Sequence, residues 1–480
     1  MRDKRVCGAW ACSRNRATLD AGASAPRVKL VRGFSAASLR AALDAMAPRA
    51  SSGWVVAVSG GVDSACLLTA LAQAPCRSLP VRAVHVDHGL QPAAADFRRA
   101  CRALCDGLDV PLQEFAVTVE SRGVSIEASA RDARYRALSS ALRAGECLLT
   151  AHHARDQAET LLLQLLRGAG LKGLSAMPAC RPLGLGWHVR PLLEVAHEDL
   201  RAFAAESGVG AACVADPMNV DLRFDRAYVR SELWPVIERR WPGAAKALTR
   251  TAGHVAEAQS LLDEAAAAAV QRLRDGNALS VAGLRVLPRA QQCQAVRHWI
   301  AAAGVTPPST SRLQEALRQA VDAEESHQPA VLWGDHALRR YRERLFLTSA
   351  VLPGVTPRSW AIDSSDPSFS EPLYLGEELG SLRWVPQAGG LDPARLPAVL
   401  SVRRRTGGER LKPRRGARTQ SVQHLCQSLG LLPWMRDALP LVYAGDALIA
   451  IGDLWQDARW CVADAALGLR CVWQDAPILV

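Results

Sequence analysis

An α/β fold, with an N-terminal doubly wound parallel sheet, a helical middle region and a small α/β C-terminal region, is predicted by three observations. Between Trp54 and Val189, short apolar runs alternate with amphipathic stretches, as in a parallel sheet with crossover helices. From about Ala244 the pattern turns to long Ala- and Leu-rich helices, and from Val402 short strand-like runs return around a single helix. At 480 residues the chain exceeds one ordinary core, so several domains are expected.

The elements follow in order. A helical lead-in covers Leu39 to Met46. Strands are predicted at Trp54–Val58, Val81–Val86, Leu112–Val117, Cys147–Ala151 and Trp187–Val189, with helices starting near Asp63, Ala94, Ile126 and Ala154 and another over His197–Glu206. Right-handed crossovers wind such strands into an open sheet that binds ligands beyond the carboxyl ends of its strands. The middle region shows no clear strand before "ALRRYRERLFLTSA", and "VLPGVTPRS" and "VPQAGGLDPARLP" read as a connector. Beyond it come a helix near Ser421–Leu429 and strands such as "LPLVYAG".

Composition narrows the function classes. With 49% hydrophobic and 22% charged residues and no apolar run of transmembrane length, a membrane protein is not expected. The net charge of +11 rests on arginine, since lysine occurs only at Lys4, Lys29, Lys172, Lys246 and Lys412; where it clusters, it suggests a polyanionic partner. The thirteen cysteines include no Cys-x-x-Cys pair and read as buried or incidental thiols of a reducing, cytoplasmic setting. The Arg-rich first stretch lacks the apolar core of a signal peptide; it is expected to be a disordered or wrongly assigned start, with a transit peptide as the alternative.

Chemistry concentrates at strand ends. The run at Trp54 empties into Ser59-Gly60-Gly61-Val62-Asp63-Ser64. Consecutive glycines let the backbone turn sharply, the following helix presents the positive end of its dipole, and Ser59 and Ser64 add hydroxyls, so the loop reads as a phosphate cradle. Asp63 beside phosphates implies a divalent cation between them, with Mg2+ the candidate, or else a helix cap. The lysine of the Walker loop is absent. This loop looks like the pyrophosphate loop of the N-type ATP pyrophosphatases, which adenylate a carbonyl oxygen and expel pyrophosphate.

Three further stretches share that edge. "AVHVDHGLQ" places His85, Asp87 and His88 where the next strand ends, and "SIEASARDARYRAL" carries Glu127, Arg131 and Arg134 nearly on one helix face. In "TAHHARDQAETLLLQLLRGAGLKGLSAMP", Asp156 and Glu159 lie three apart on one face and suit an ammonium group, or form a solvated acidic first turn. His152 and His153 have no third ligand at zinc spacing. "SVRRRTGGERLKPRRGARTQ" gathers Arg403, Arg404, Arg405, Arg410, Lys412, Arg414, Arg415 and Arg418 around one acid, Glu409, and reads as a phosphate-backbone contact or a solvated loop.

These motifs, with "RPLLE" from Arg190, "DPMN" from Asp216, "RFDRAYVRSELWP" from Arg223 and "LCQSLGLLPWMRDALPLVYAGDALIAIGDLW" near the end, are similar to the tRNA(Ile)-lysidine synthetase family. The resemblance implies an adenine-nucleotide alpha hydrolase-like catalytic domain over 39–238, a helical substrate-binding domain over 239–350, a linker over 351–400 and a tRNA-binding domain over 401–480, after an extension of 1–38. It implies a ligase that joins L-lysine to C2 of the wobble cytidine of a CAU-anticodon tRNA(Ile), through an adenylated cytidine. ATP and Mg2+ would be held by Ser59, Gly60, Gly61, Val62, Asp63, Ser64, His85 and Arg131, with Asp63 and Ser64 catalytic. Lysine would meet Asp156 and Glu159, and tRNA the basic segment. The oligomeric state stays open, a homodimer included. A tRNA thiolase of the same superfamily would need a catalytic cysteine pair or an iron-sulfur cluster. A non-catalytic tRNA-binding protein would not need Asp63 and Ser64 in the loop.

Overall fold

The computed structural model describes residues 33–73, 79–87, 94–118, 126–214, 221–322, 329–352, 354–362 and 370–477, without the side chains of 126–128 and 212. The expectations for residues 1–32, for His88, for the Glu127 side chain and for Asp216 to Asn219 lie outside these. The chain divides into two compact units, one through Leu261 and one from Leu262.

The first unit begins earlier than the expected lead-in. Helix α1 (Ala36–Met46) starts on a capping box, in which Ser35 accepts from the Ser38 amide while the Ser38 hydroxyl pairs back on Ser35. Phe34 packs edge-on against Phe203 at 5.0 Å. The expected extension is therefore corrected at its end: residues 34–38 belong to the fold, because a cap and an aromatic contact tie them down.

The sheet has the order β3-β2-β1-β4-β6-β5, from β1 (Gly53–Ala57), β2 (Val81–Asp87), β3 (Leu112–Ala116), β4 (Glu146–Leu149), β5 (Cys180–Leu183) and β6 (Gly186–Val189). All pairs are parallel except the β5–β6 hairpin, an edge that the sequence reading did not anticipate. Strand alternation feeds two cores. Trp54, Val56, Cys147 and Leu149 face one side, with α2 (Val62–Ala72), α3 (Ala94–Gly107) and α7 (His197–Ser207); Val55, Val84 and Leu148 face α4 (Ile126–Ser140) on the other. The order reverses between β1 and β4, so their carboxyl ends open the crevice where such sheets bind ligands.

Helix α5 (Ala154–Leu166) leaves the end of β4, followed by the single turn α6 (Leu171–Leu174). A second helical stretch, α8 (Asp225–Tyr228) and α9 (Trp234–Arg240), is joined by a π-helical turn, Val229–Leu233. It docks on α5 through the buried Trp234, which packs with Ala158 and Ala244. The 30-residue α10 (Ala244–Leu273) runs from the first unit into the second.

In the second unit the middle region, expected to be mainly helical with no clear strand before "ALRRYRERLFLTSA", carries short strands ahead of that stretch as well. Strands β7 (Arg274–Asp275), β8 (Ala278–Ser280), β9 (Ala330–Trp333), β10 (His336–Tyr341) and β11 (Arg344–Ser349) form an antiparallel sheet in the order β7-β8-β11-β10-β9. Helices α11 (Val281–Val286), α12 (Arg289–Ala302) and α13 (Thr310–Asp322) share its core through Leu279, Leu338 and Leu345. Strands of three or four residues carry too little periodicity to be read alone.

The expected connector over 351–400 is also corrected. It carries β12 (Arg358–Ala361), β13 (Leu373–Gly376), β14 (Gly380–Ala388) and the start of β15 (Val399–Arg403), with Trp360 stacked on Trp384 at 4.9 Å. Pro386 misdirected the reading. It sits in β14 where β13 no longer pairs, so no ladder bond is lost on that side. After the ladder of β16 (Arg410–Leu411) with β17 (Gln420–Ser421) come α14 (Val422–Ser428), β18 (Leu441–Ala444), β19 (Ala447–Ile451), β20 (Trp455–Gln456) and β21 (Leu467–Gln474). They complete a sheet β12-β15-β18-β19-β20 and a sheet β13-β14-β21 around one core. No helix among the described residues is long and apolar enough to cross a membrane.

The junction of β4 with the β5–β6 hairpin gives a direct check. A Cβ on Gly186 would lie 2.1 Å from the Glu146 carbonyl oxygen, which cannot move without parting the two strands. Gly186→Ala should cost about 1–3 kcal/mol, read as a lower urea midpoint.

Candidate active site

The loop after β1 is held by its own hydroxyls. The Ser59 amide donates to Ser64 Oγ (3.1 Å), and Ser64 Oγ donates to the Gly61 carbonyl (2.9 Å). Ser59 Oγ lies 3.2 Å from Ser64 Oγ and accepts from the Gly61 amide (3.3 Å). Ser64 is thus a buried staple of the loop, while Gly61, without a side-chain cap, leaves the first amides of α2 uncapped. Gly60 has φ +84°, and a Cβ there would meet Phe97 Cδ1 at 2.9 Å, so both backbone and space require glycine.

Apart from Gly60, these residues border a cavity of about 750 Å³ at the switch point. Ser59, Gly61, Val62, Asp63, Ser64, His85 and Arg131, all expected from sequence, line it. His85 is buried, and its Nδ1–H donates to the Val58 carbonyl (2.9 Å), bracing β2 against the end of β1. Asp87 pairs with Arg98 at 2.5 Å. Arg131 and Arg134 lie over the Tyr135 ring at 5.2 and 5.5 Å.

Asp63 is the site's acid. Burial pushes its carboxyl above the usual range, against the opposing pull of His153. Its Oδ1 is buried with no hydrogen-bond partner among the described residues, which fits a carboxylate awaiting a cation. Ligand atoms of Asp63, His153 and His197 lie within 4.8 Å of one another, a grouping drawn from three separate segments. Magnesium takes oxygen ligands, so Asp63 is the member suited to it.

Asp156 and Glu159 come together, but with partners that the sequence reading missed. Asp156 Oδ1 accepts from Arg226 Nη2 (3.0 Å) and Arg230 Nη2 (2.9 Å), and Oδ2 accepts from the His153 amide (3.1 Å). Glu159 is fully buried and accepts from Arg230 Nε and Nη2 (both 2.9 Å) and from Arg226 Nε (3.2 Å). Burial opposes ionisation of Asp156, yet His153, Arg226 and Arg230 together hold its carboxyl well below the usual range. Asp156, Arg226 and Arg230 line the cavity and Glu159 does not. The ammonium site expected of the pair is corrected for Glu159: both its oxygens are taken by guanidinium groups. The four-residue spacing of Arg226 and Arg230 in "RFDRAYVR" was the available signal.

The basic segment forms the loop between β15 and β17. Glu409 accepts from the Thr406 and Gly407 amides, and these bonds lower its carboxyl below the usual range despite burial. Arg403, Arg404, Arg410, Arg414, Arg415 and Arg418 are exposed, and Arg405 and Lys412 half-buried. Arg415 is tied to the Cys461 and Val462 carbonyls and Arg403 lies over Tyr443, leaving both cations uncompensated by any ion pair among the described residues.

Removing Arg230 strips a bidentate partner from a fully buried carboxylate. Arg230→Met should cost about 3–5 kcal/mol, and Glu159→Gln in the same chain should lose less than the two separate changes summed. The histidines set a pH dependence. Burial lowers His152 to about 3, His188 to about 2 and His197 to about 4, so each takes up a proton on unfolding below its ordinary pKa of about 6.5. Their contribution is complete above about pH 6.5 and is lost as pH falls, levelling off for His197 near 4. Urea midpoints should therefore drop between about pH 7 and pH 5.

Comparison with known proteins agrees with this architecture. The PP-loop domain family matches residues 35–237, the TilS substrate binding domain 279–346 and the TilS substrate C-terminal domain 400–473. The chain is 40% identical to the tRNA(Ile)-lysidine synthase of Alkalilimnicola ehrlichii over 88% of its own length and 94% of the relative's. It is 39% identical to that of Coxiella burnetii (84% and 88%) and 38% identical to that of Methylococcus capsulatus (86% and 92%). A glycine loop at the switch point of a parallel sheet, a cationic cavity beside it and this extent of identity place the chain in the tRNA(Ile)-lysidine synthase family.

Proposed function

We propose that this chain joins lysine to C2 of the wobble cytidine of a CAU-anticodon tRNA(Ile) in an ATP-dependent reaction. The observation that carries the reading is the glycine loop with its partnerless Asp63 oxygen, opening on a cavity walled by Arg131, Arg134, Arg201, Arg226 and Arg230. Such a wall suits a triphosphate and a polynucleotide.

In the first step the C2 carbonyl oxygen of cytosine attacks the α-phosphorus of ATP, and the bond to pyrophosphate breaks. In the second, the lysine ammonium gives one proton to water, the resulting ε-amine attacks C2, AMP leaves with the oxygen, and the new C–N nitrogen passes its extra proton to water. The uncapped amides at the start of α2 and the arginine wall bind the charge on pyrophosphate. Asp63 would hold Mg2+, which when bound neutralises phosphate charge. Ser64 keeps the loop in shape. Asp156, the member of its pair that reaches the cavity, would meet the lysine ammonium through Oδ2, which takes the His153 amide and lies 3.5 Å from His153 Nε2, while Glu159 fixes Arg226 and Arg230 behind it.

We assign catalysis to the region ending near residue 238 and tRNA backbone contact to Arg403, Arg404, Arg405, Arg410, Lys412, Arg414 and Arg415. A thiolase reading meets no thiol among the described residues of the cavity wall, and burial pushes Cys66 and Cys101 up to about 12.

Incubation with ATP, magnesium, labelled lysine and a CAU-anticodon tRNA(Ile) transcript should place label in lysidine, read by mass analysis of nucleosides. Asp63→Ala should lower the rate at least about a hundredfold. Release of AMP without lysine incorporation would reject lysine as the nucleophile, and no tRNA-dependent turnover would favour a non-catalytic tRNA-binding protein.

A further inference from the structure

A buried hydrogen-bond chain ends at His152, a cavity-lining residue that the proposed reaction has not used. Thr150, just beyond β4, is buried, and its Oγ1 lies 2.8 Å from His152 Nδ1 and 2.8 Å from His188 Nε2. His188, on β6, is fully buried, and its Nδ1 lies 3.2 Å from Arg190 Nη2. Arg190 Nη1 donates to the Pro178 carbonyl at 2.7 Å.

The proton positions follow from which groups can only donate. A guanidinium has no acceptor, so His188 Nδ1 accepts from Arg190, and the neutral ring carries its proton on Nε2. That proton goes to Thr150 Oγ1. The threonine hydroxyl then has one proton left, and His152 Nδ1 is its remaining partner among the described residues. If His152 Nδ1 carried a proton instead, the buried Thr150 hydroxyl would have no acceptor, a loss that buried polar groups avoid. His152 Nδ1 therefore accepts and Nε2–H remains, with no hydrogen-bond partner among the described residues, on a ring that borders the cavity.

We propose that Arg190, His188 and Thr150 are positioning residues that lock the proton of His152 on Nε2, presenting a neutral donor to an acceptor oxygen of the bound substrate. The charged groups around His152 are Asp156 on α5, Arg190 after β6, Arg226 on α8 and Arg134 on α4. The three arginines and burial oppose a second proton on the ring, outweighing Asp156. A neutral donor of this kind polarises an oxygen on which charge develops without surrendering its proton to it.

The activity arm of the test rests on the proposed lysidine reaction, whereas the spectroscopic arm does not. In 15N-labelled protein, the His152 ring should show the Nε2-protonated neutral tautomer between about pH 5 and 8. Thr150→Val should mix the tautomers and Thr150→Ser should keep the single form. In lysidine formation, Thr150→Val should lower kcat roughly ten- to a hundredfold with a smaller change in KM, and Thr150→Ser should restore it. His152→Ala should lower kcat about 10²–10³-fold, whereas His152→Gln, whose amide N–H stands in for Nε2–H, should keep most of the rate. An Nδ1-protonated His152 in the unaltered protein, an unchanged tautomer in Thr150→Val, or equal losses in the Val and Ser variants would overturn the proposal. Absence of lysidine formation in the unaltered protein would defeat the functional reading alone, since the tautomer measurement stands without it.

Discussion

Glu159 has no exposed surface, and an ionised carboxylate cut off from water persists only with cationic donors in contact. Arg230 and Arg226 supply them, and much of the active-site architecture follows. Both arginines come from the helical stretch of α8 and α9, some seventy positions along the chain from α5, so satisfying one carboxylate clamps that stretch to the helix leaving β4. Trp234 then buries against Ala158, with the Arg155 guanidinium 5.5 Å from its ring. Apolar burial gives the contact its area; the ion pairs give it its register.

That clamp also decides what the cavity presents. Left to themselves, two acids on the first turns of α5 would make an acidic patch. Paired as they are, they turn the same wall into a seat for Arg226 and Arg230, whose charge is shared between the carboxylates behind and the cavity in front. Beside them Asp63 supplies a carboxylate whose Oδ1 has no hydrogen-bond partner among the described residues, and His152 and His197 stay neutral because burial penalises their charged forms. The cavity therefore holds fixed cations, carboxylates at Asp63 and Asp156 that suit cations, and neutral donors. That combination can grip a triphosphate without an excess of mobile protons.

The second unit solves a different problem. Its basic loop cannot bury eight cations, so it is held by its backbone: Glu409 gathers the amides of the Thr406–Gly407 turn, and the short β16–β17 ladder closes the far side. Below it, a core that includes Leu400, Val402, Leu411 and Val422 anchors the strands on either side. Six of the loop's seven arginines are thereby left outward with few competing acids, the arrangement a phosphate backbone requires.

Read alone, the sequence determined the parallel sheet, the order of its crossover helices and the loop from Ser59 to Ser64. Those signals are local: an apolar run of strand length, paired glycines and a helix start lie within a few residues of one another. It also placed the basic loop, because eight cations around three glycines have no buried solution. Only the tertiary structure decided the rest. Whether Asp156 and Glu159 meet a substrate or a guanidinium depends on residues some seventy positions away, and the orientation of His152 depends on a threonine, a histidine and an arginine from two different strand ends. The strands between 351 and 400 escaped the reading for the same reason: β14 is defined by its long-range pairing with β21, and Pro386 is tolerated within it only because the neighbouring strand stops short.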